Sequence, residues 1–349
     1  MARSTVSYQG KKVFIGIDVH KESFSVTCIC DQIIVKKAKV LASPDSVAES
    51  FLNWFKGAEI YTAYEAGFSG FGLHRSLEKF GIKNIVVNPA SIAIASNDKV
   101  KTDLRDSKKI AEQLSVQQLK GINIPTLEME ASRSLTRTRV QVVDARSRVS
   151  RQIKSKLYYF GLMKPDDKRL ISNRYLRQIE ALSLPEDVMI GFKILIEQWR
   201  FFTLQLFELR KALQKQAVKD QELHEIYQSV PGIGLVTGRT LANELGDLSR
   251  FNNEQTLFCF TGLTPSESSS GDRTRRGHIS RQGSGRIRWL LIEAAWRAIV
   301  KDIALKETFE RIAKTRGKKR AIVAIARKLI GRIRACFKAK ILYVVGTYS

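Results

Sequence analysis

The chain has 349 residues, enough for two or three domains with real hydrophobic cores, and its apolar and charged fractions are those of an ordinary globular protein. Its charge is not ordinary: 59 Lys and Arg against 34 Asp and Glu give a formal net charge of +25, a field that draws polyanions and points first to nucleic acid rather than to the plainer alternative of non-specific basicity. Excluded are a membrane span, because no apolar run approaches the ~20 residues a bilayer needs, and a disulfide or zinc framework, because Cys28, Cys30, Cys259 and Cys336 are few, scattered and form no CxxC pair.

The same scatter of cysteines leads to the expectation of a reducing cytoplasm; in chain order, Met1 to Lys12 carries no apolar signal-peptide core. Val13 to Asp18 and Ser23 to Ile34 read as two strands flanking a turn at His20 to Glu22. Pro44 to Lys56 reads as a helix with Val47, Phe51, Leu52 and Phe55 on one face and Ser43 as its N-cap. Ile60 to Tyr64 and Lys83 to Val87 read as strands on either side of a helix over Gly70 to Phe80, with a turn at Asn88-Pro89. Strands separated by helices imply an α/β layer with some parallel strands. Beyond Pro125 the character is helical. Thr126 to Gly161 and Pro185 to Glu222 read as two long helices, the second carrying an unusually wide apolar stripe from Ile190 to Leu213. They suit a dimerising coiled-coil arm and an ordinary helical hairpin equally well. From Ile226 the chain runs through SVPGIGLVTGRTLANEL and FCFTGLTP into a Ser-, Gly- and Arg-rich surface loop. Helices over Ile287 to Ala304 and Ala321 to Lys338 follow. The expected class is α/β plus α, with divisions at 1–124, 125–222 and 223–349.

Four carboxylates carry the chemistry. Asp18 ends a strand after Gly16-Ile17, and Glu65 ends another in YTAYEAG, so both project into the crevice where α/β sheets bind ligands. Asp103 and Asp106 lie three residues apart at a candidate helix start, on one face. Taken singly, Asp18 reads as a turn cap and Asp103 as a helix-terminal acid favoured by the dipole. Together the four outline a ribonuclease-H-like nuclease site, since crowded carboxylates either share protons or hold a cation, and hard oxygen donors suit Mg²⁺ or Mn²⁺. Lys99, Lys101, Arg105, Lys108 and Lys109 fit either a phosphate backbone passing the site or a solvated helix face.

The ordered set VFIGIDVHKESFS, YEAGFSG, NPASIAIASNDKVKTDLRDSKKIA, SVPGIG, FTGLTP and the Ser-Gly-Arg loop resembles the DEDD insertion-sequence transposases that include the Piv DNA invertase, over nearly the whole chain. The resemblance implies a RuvC-like N-terminal domain with Asp18, Glu65, Asp103 and Asp106 as its metal-binding acidic tetrad, then a coiled coil, then a small transposase domain with a nucleophilic serine. It also implies DNA element ends as substrate, and for some members a structured guide RNA. The nucleophile aligns with Ser270; the run Ser268-Ser269-Ser270 leaves its register open by one position, and Ser280 is a second candidate. Arg273, Arg275 and Arg276 would stabilise phosphorane charge or clamp backbone. Where relatives more often have Thr-Gly or Ser-Gly after the glutamate, this chain has Ala66-Gly67; where alanine is common after the last aspartate, it has Ser107.

SVPGIGLVTGRTLANEL resembles half of a helix-hairpin-helix, whose glycine amides hold phosphate at a helix N-terminus; an ordinary turn between helices reads equally from it. The expected activity is DNA strand breakage and rejoining by a dimer or tetramer. The alternatives are a metal-dependent junction nuclease without a serine nucleophile, and a non-catalytic nucleic-acid scaffold.

Overall fold

The computed structural model describes residues 7–93, 102–164, 166–267, 276–280 and 282–346. They fall into two compact units, 1–125 and 126–349.

The first unit is built on strands β1 (Lys12–Val19), β2 (Ser23–Cys30), β3 (Ile33–Leu41), β4 (Glu59–Glu65) and β5 (Lys83–Val87), with helices α1 (Pro44–Trp54), α2 (Gly72–Lys79) and α3 (Asp103–Ser115). The sheet order is β3-β2-β1-β4-β5. β1 to β3 form an antiparallel meander, and β4 and β5 add parallel to β1. Val13, Ile15, Ile17, Tyr64 and Val86 face one side, where Val47 and Phe51 of α1 and Leu73 and Leu77 of α2 complete a core. The other side carries Phe14, Tyr61, Ala63, Ile85 and Val87, covered by Ile110 and Leu114 of α3. A period of two along each strand thus sorts side chains between two helical layers. The stretch read as one strand over Ser23 to Ile34 is two: Asp31 and Gln32, both at positive φ (51° and 63°), make a two-residue turn between β2 and β3.

The second unit begins with α4 (Leu127–Tyr159) and, after α5 (Asn173–Glu180), α6 (Glu186–Lys219). Trp199 Nε1 donates to Ser150 Oγ at 3.0 Å, and Lys219 pairs with Glu128, so α4 and α6 run antiparallel. Val149, Ile153 and Leu157 pack on Phe192, Ile196 and Trp199, with Leu176 and Ile179 of α5 added. The wide stripe of α6 splits here. Its other face leaves Ile190, Ile194, Phe201, Leu204 and Phe207 about half exposed within this chain.

Then come α7 (Gln221–Gln228), α8 (Leu235–Leu245), α9 (Glu254–Thr261), the strand pair β6 (Pro265–Glu267) and β7 (Arg276–Ile279), α10 (Gly285–Lys301), α11 (Ile303–Arg316) and α12 (Lys318–Ala339). Their core is Leu241, Leu245, Leu257, Leu291, Ala295, Ile325, Leu329 and Ile333. Arg239 on α8 is almost fully buried and bonds Asn243 Oδ1, Asp220 Oδ2 and the Gln216 carbonyl at 2.8, 2.8 and 3.3 Å. Glu244 takes both arms of Arg137 at 2.9 Å, which ties α4 to α8. One expected helix is also two: Ile287 to Ala304 divides at Asp302, a buried carboxylate that caps α11 by accepting from Leu305 N at 2.9 Å. Among the described residues no helix is long and apolar enough to cross a membrane. The molecule is a mixed α/β N-terminal part followed by a mostly helical C-terminal part.

Candidate metal centre

Parallel pairing of β1 with β4 runs to Ile17 opposite Tyr64. Asp18 and Glu65 are each the next residue, so they leave the same end of adjacent strands, on the face that carries Gly16 and Ala63. Over that face lies α3. Gly16 is what lets it approach, because a Cβ there would collide with the Ser107 carbonyl and the Ala111 amide. The approach is fixed by a buried hydroxyl pair, Ser107 Oγ to Thr27 Oγ1 at 2.9 Å, with Ser107 donating in turn to the Leu104 carbonyl at 3.1 Å. The departure from alanine after Asp106 therefore has a partner on β2.

Thr102 is the N-cap of α3, and Asp103 and Asp106 occupy its first turn. There the helix dipole favours negative charge. Asp103 comes within reach of Asp18 through His20, whose Nε2 lies 3.0 Å from Asp18 Oδ2 and 3.2 Å from Asp103 Oδ1. His20 begins the β1–β2 turn, its amide donating to the Ser23 carbonyl at 3.1 Å. Donor atoms of Asp18, His20 and Asp103 all lie within 4.8 Å of one another. Asp106 stands one turn further along α3 and pairs with Lys109 Nζ at 3.3 Å. Burial pushes the Asp18 carboxyl above the ordinary aspartate range, His20 pulls it back, and the charges of Asp103 and Asp106 push it up again.

This concentration of hard oxygen donors fits a divalent cation, whose charge would relieve the repulsion among the acids. The structure thus brings Asp18 and Asp103 together and sets Asp106 close enough to act on Asp18. Glu65 is placed by strand register beside Asp18. The sequence marks His20 as a turn residue only; the signal for its place in the site is that it lies two residues beyond Asp18, at the start of the turn that follows β1.

Ser268, Ser269, Ser270, Arg273 and Arg275 lie outside the described residues, as do Lys99 and Lys101. The segment that holds the serines joins β6 to β7, which pair antiparallel with Glu267 opposite Arg276. Ser280, just after β7, is exposed; its amide donates to the Thr264 carbonyl at 2.8 Å. In SVPGIG, Gly232 has φ +88° against Arg297 of α10, and Gly234 is the N-cap of α8.

Two family models match the chain in sequence order. A DEDD-type transposase model covers residues 15–160, and one described as the transposase IS116/IS110/IS902 family covers residues 224–310. Among similar proteins, the transposase for insertion sequence element IS1533 of Leptospira borgpetersenii is 26% identical over 94% of this chain and 96% of its own length. The transposase for IS1111A of Coxiella burnetii is 26% identical over 73% and 71%, and that for IS1328 of Yersinia enterocolitica 24% over 80% and 82%. The first model spans all four acids and the second the serine-bearing segment. Such a family implies DNA partners and dependence on a divalent metal ion. With Asp18 at a strand end meeting Asp103 in the first turn of α3 and both matches in order along the sequence, the chain belongs to the DEDD insertion-sequence transposases, enzymes that cut and rejoin DNA.

Proposed function

We propose that this transposase works through a split active site, with a RuvC-like metal centre of Asp18, Glu65, Asp103 and Asp106 in the N-terminal domain and a nucleophilic Ser270 in the C-terminal domain. The observation that carries the reading is the meeting of Asp18 and Asp103, from a strand end and a helix start, beneath the span of the DEDD model. Five strands with acids at adjacent strand ends and a packed acidic helix turn support the RuvC-like assignment. We divide the chain into that domain (1–124), a coiled-coil region (125–222) and a transposase domain (223–349).

When bound, Mg²⁺ or Mn²⁺ would polarise the scissile phosphate and neutralise charge developing on it. Asp18, Glu65, Asp103 and Asp106 would hold that ion and so fix where the scissile phosphate lies. The Ser270 hydroxyl attacks phosphorus, an Oγ–P bond forms as the P–O bond to the departing strand end breaks, and the hydroxyl proton passes to a base. The phosphoserine keeps the bond energy for rejoining. Arg273, Arg275 and Arg276 supply positive charge to the same segment. Strand exchange at one junction needs several subunits, and the exposed apolar face of α6 supports a dimer or tetramer through the helical hairpin. A surplus of 25 positive charges supports contact with element-end DNA and with a guide RNA. Four free cysteines suit a cytoplasmic setting.

The test is to incubate the protein with labelled element-end DNA and Mg²⁺, denature, and look for DNA carried on the protein. An adduct in wild type that disappears in Ser270→Ala is expected. Free cleaved DNA at undiminished rate in Ser270→Ala would contradict the serine and favour hydrolysis by water.

A further inference from the structure

Among the described residues His20 is the one nitrogen donor in the cluster, and its placement is specific. It sits on the β1–β2 turn, two residues beyond Asp18, and touches acids from two different elements with a single atom. Nε2 lies 3.0 Å from Asp18 Oδ2 and 3.2 Å from Asp103 Oδ1. Ligands about 2.1 Å from an octahedral ion stand about 3 Å apart when adjacent. The two separations are hydrogen-bond distances, and they also match the spacing of adjacent ligands around such an ion. A histidine serving only to hold a turn would not need its ring nitrogen on both carboxylates at once, since the turn is already closed through the backbone to Ser23.

We propose that His20 Nε2 is a direct ligand of the divalent ion held by Asp18 and Asp103, adding one nitrogen to an otherwise all-oxygen set; the inference rests on the metal-centre reading above. Imidazole favours transition ions over Mg²⁺, which prefers oxygen. The consequence is a site that takes Mn²⁺ in preference to Mg²⁺ more strongly than the four carboxylates alone would.

The full-length protein loaded with Mn²⁺ tests this by pulsed electron paramagnetic resonance, alongside titration of Mn²⁺ and Mg²⁺ affinities. Wild type is expected to show coupling of the bound Mn²⁺ to one nitrogen-14 nucleus. His20→Ala is expected to lose that coupling and to bind Mn²⁺ about tenfold more weakly, with a smaller loss for Mg²⁺. His20→Glu, which offers an oxygen ligand in its place, is expected to recover affinity without the nitrogen coupling, separating ligation from misfolding. Mn²⁺ that binds, is lost in Asp18→Asn, yet shows no nitrogen coupling in wild type would overturn the role of His20 and leave the acids standing. No bound Mn²⁺ in wild type would overturn both.

Discussion

Thr27 and Ser107 show how single side chains set the position of the acids. Both hydroxyls are buried and bonded to each other. Ser107 keeps a second bond, to the Leu104 carbonyl, whereas the bond to Ser107 is the one that satisfies Thr27. Replacing Ser107 with alanine, the residue more common in relatives, should leave the Thr27 hydroxyl buried without an acceptor and cost about 1–2 kcal/mol. The double variant Thr27→Val with Ser107→Ala should recover most of that, as read from urea unfolding midpoints; a double-variant loss equal to the sum of the two single-variant losses would show that the pair is not coupled. The same scale shows what a sequence can and cannot give. Asp18 and Glu65 are legible because an acid that ends an apolar strand is conspicuous. The partnership of His20 with Asp103 is not, because it joins residues 83 positions apart through a packing distance that Gly16 and Ser107 set.

At the scale of elements, long apolar periods were readable and short breaks were not. The helices of the hairpin follow from their spacing, and β5 spans the expected residues, Lys83–Val87. The β2–β3 turn carries neither glycine nor proline: Asp31 and Gln32 take left-handed φ without the usual marker, so two strands look like one. Asp302 similarly interrupts a continuous helical pattern between α10 and α11, and tertiary contacts give it that power. Burial alone would raise its carboxyl, but the Tyr343 hydroxyl at 2.6 Å, the amides of Leu305 and Gly346, and Arg332 at 2.8 Å together hold it below the usual aspartate value. Burial and the bond to Asp302 push the Tyr343 phenol up to about 12. A carboxyl lowered in the folded state contributes stability that is present above its unfolded value, about 3.9. That contribution is lost as pH falls through the lower folded value. Wild type should therefore lose stability relative to Asp302→Asn as pH drops below about 4, with the wild-type advantage constant from there to neutrality. Thermal melts of both proteins across pH 2 to 7 check this, and a difference that does not change with pH would remove the carboxylate from the explanation.

For the whole molecule, charge and order along the chain matter more than any one motif. The net charge of +25 directs the protein to a polyanion but is indifferent to what happens there. The family enters with two matches in sequence order, the first of which spans the acids of the first unit. Neither helical hairpin nor basic surface would distinguish a transposase from a binding scaffold; the DEDD-type transposase match over residues 15–160 does. The most direct measurement is strand cleavage of element-end DNA in the presence of Mg²⁺ by wild type and by Asp18→Asn, Glu65→Gln, Asp103→Asn and Asp106→Asn, with DNA binding measured in parallel. Each isosteric change should lower the cleavage rate on the order of 100-fold or more while DNA affinity stays within a few-fold. Cleavage by Asp18→Asn or Asp103→Asn at the wild-type rate would contradict a catalytic metal centre at this site.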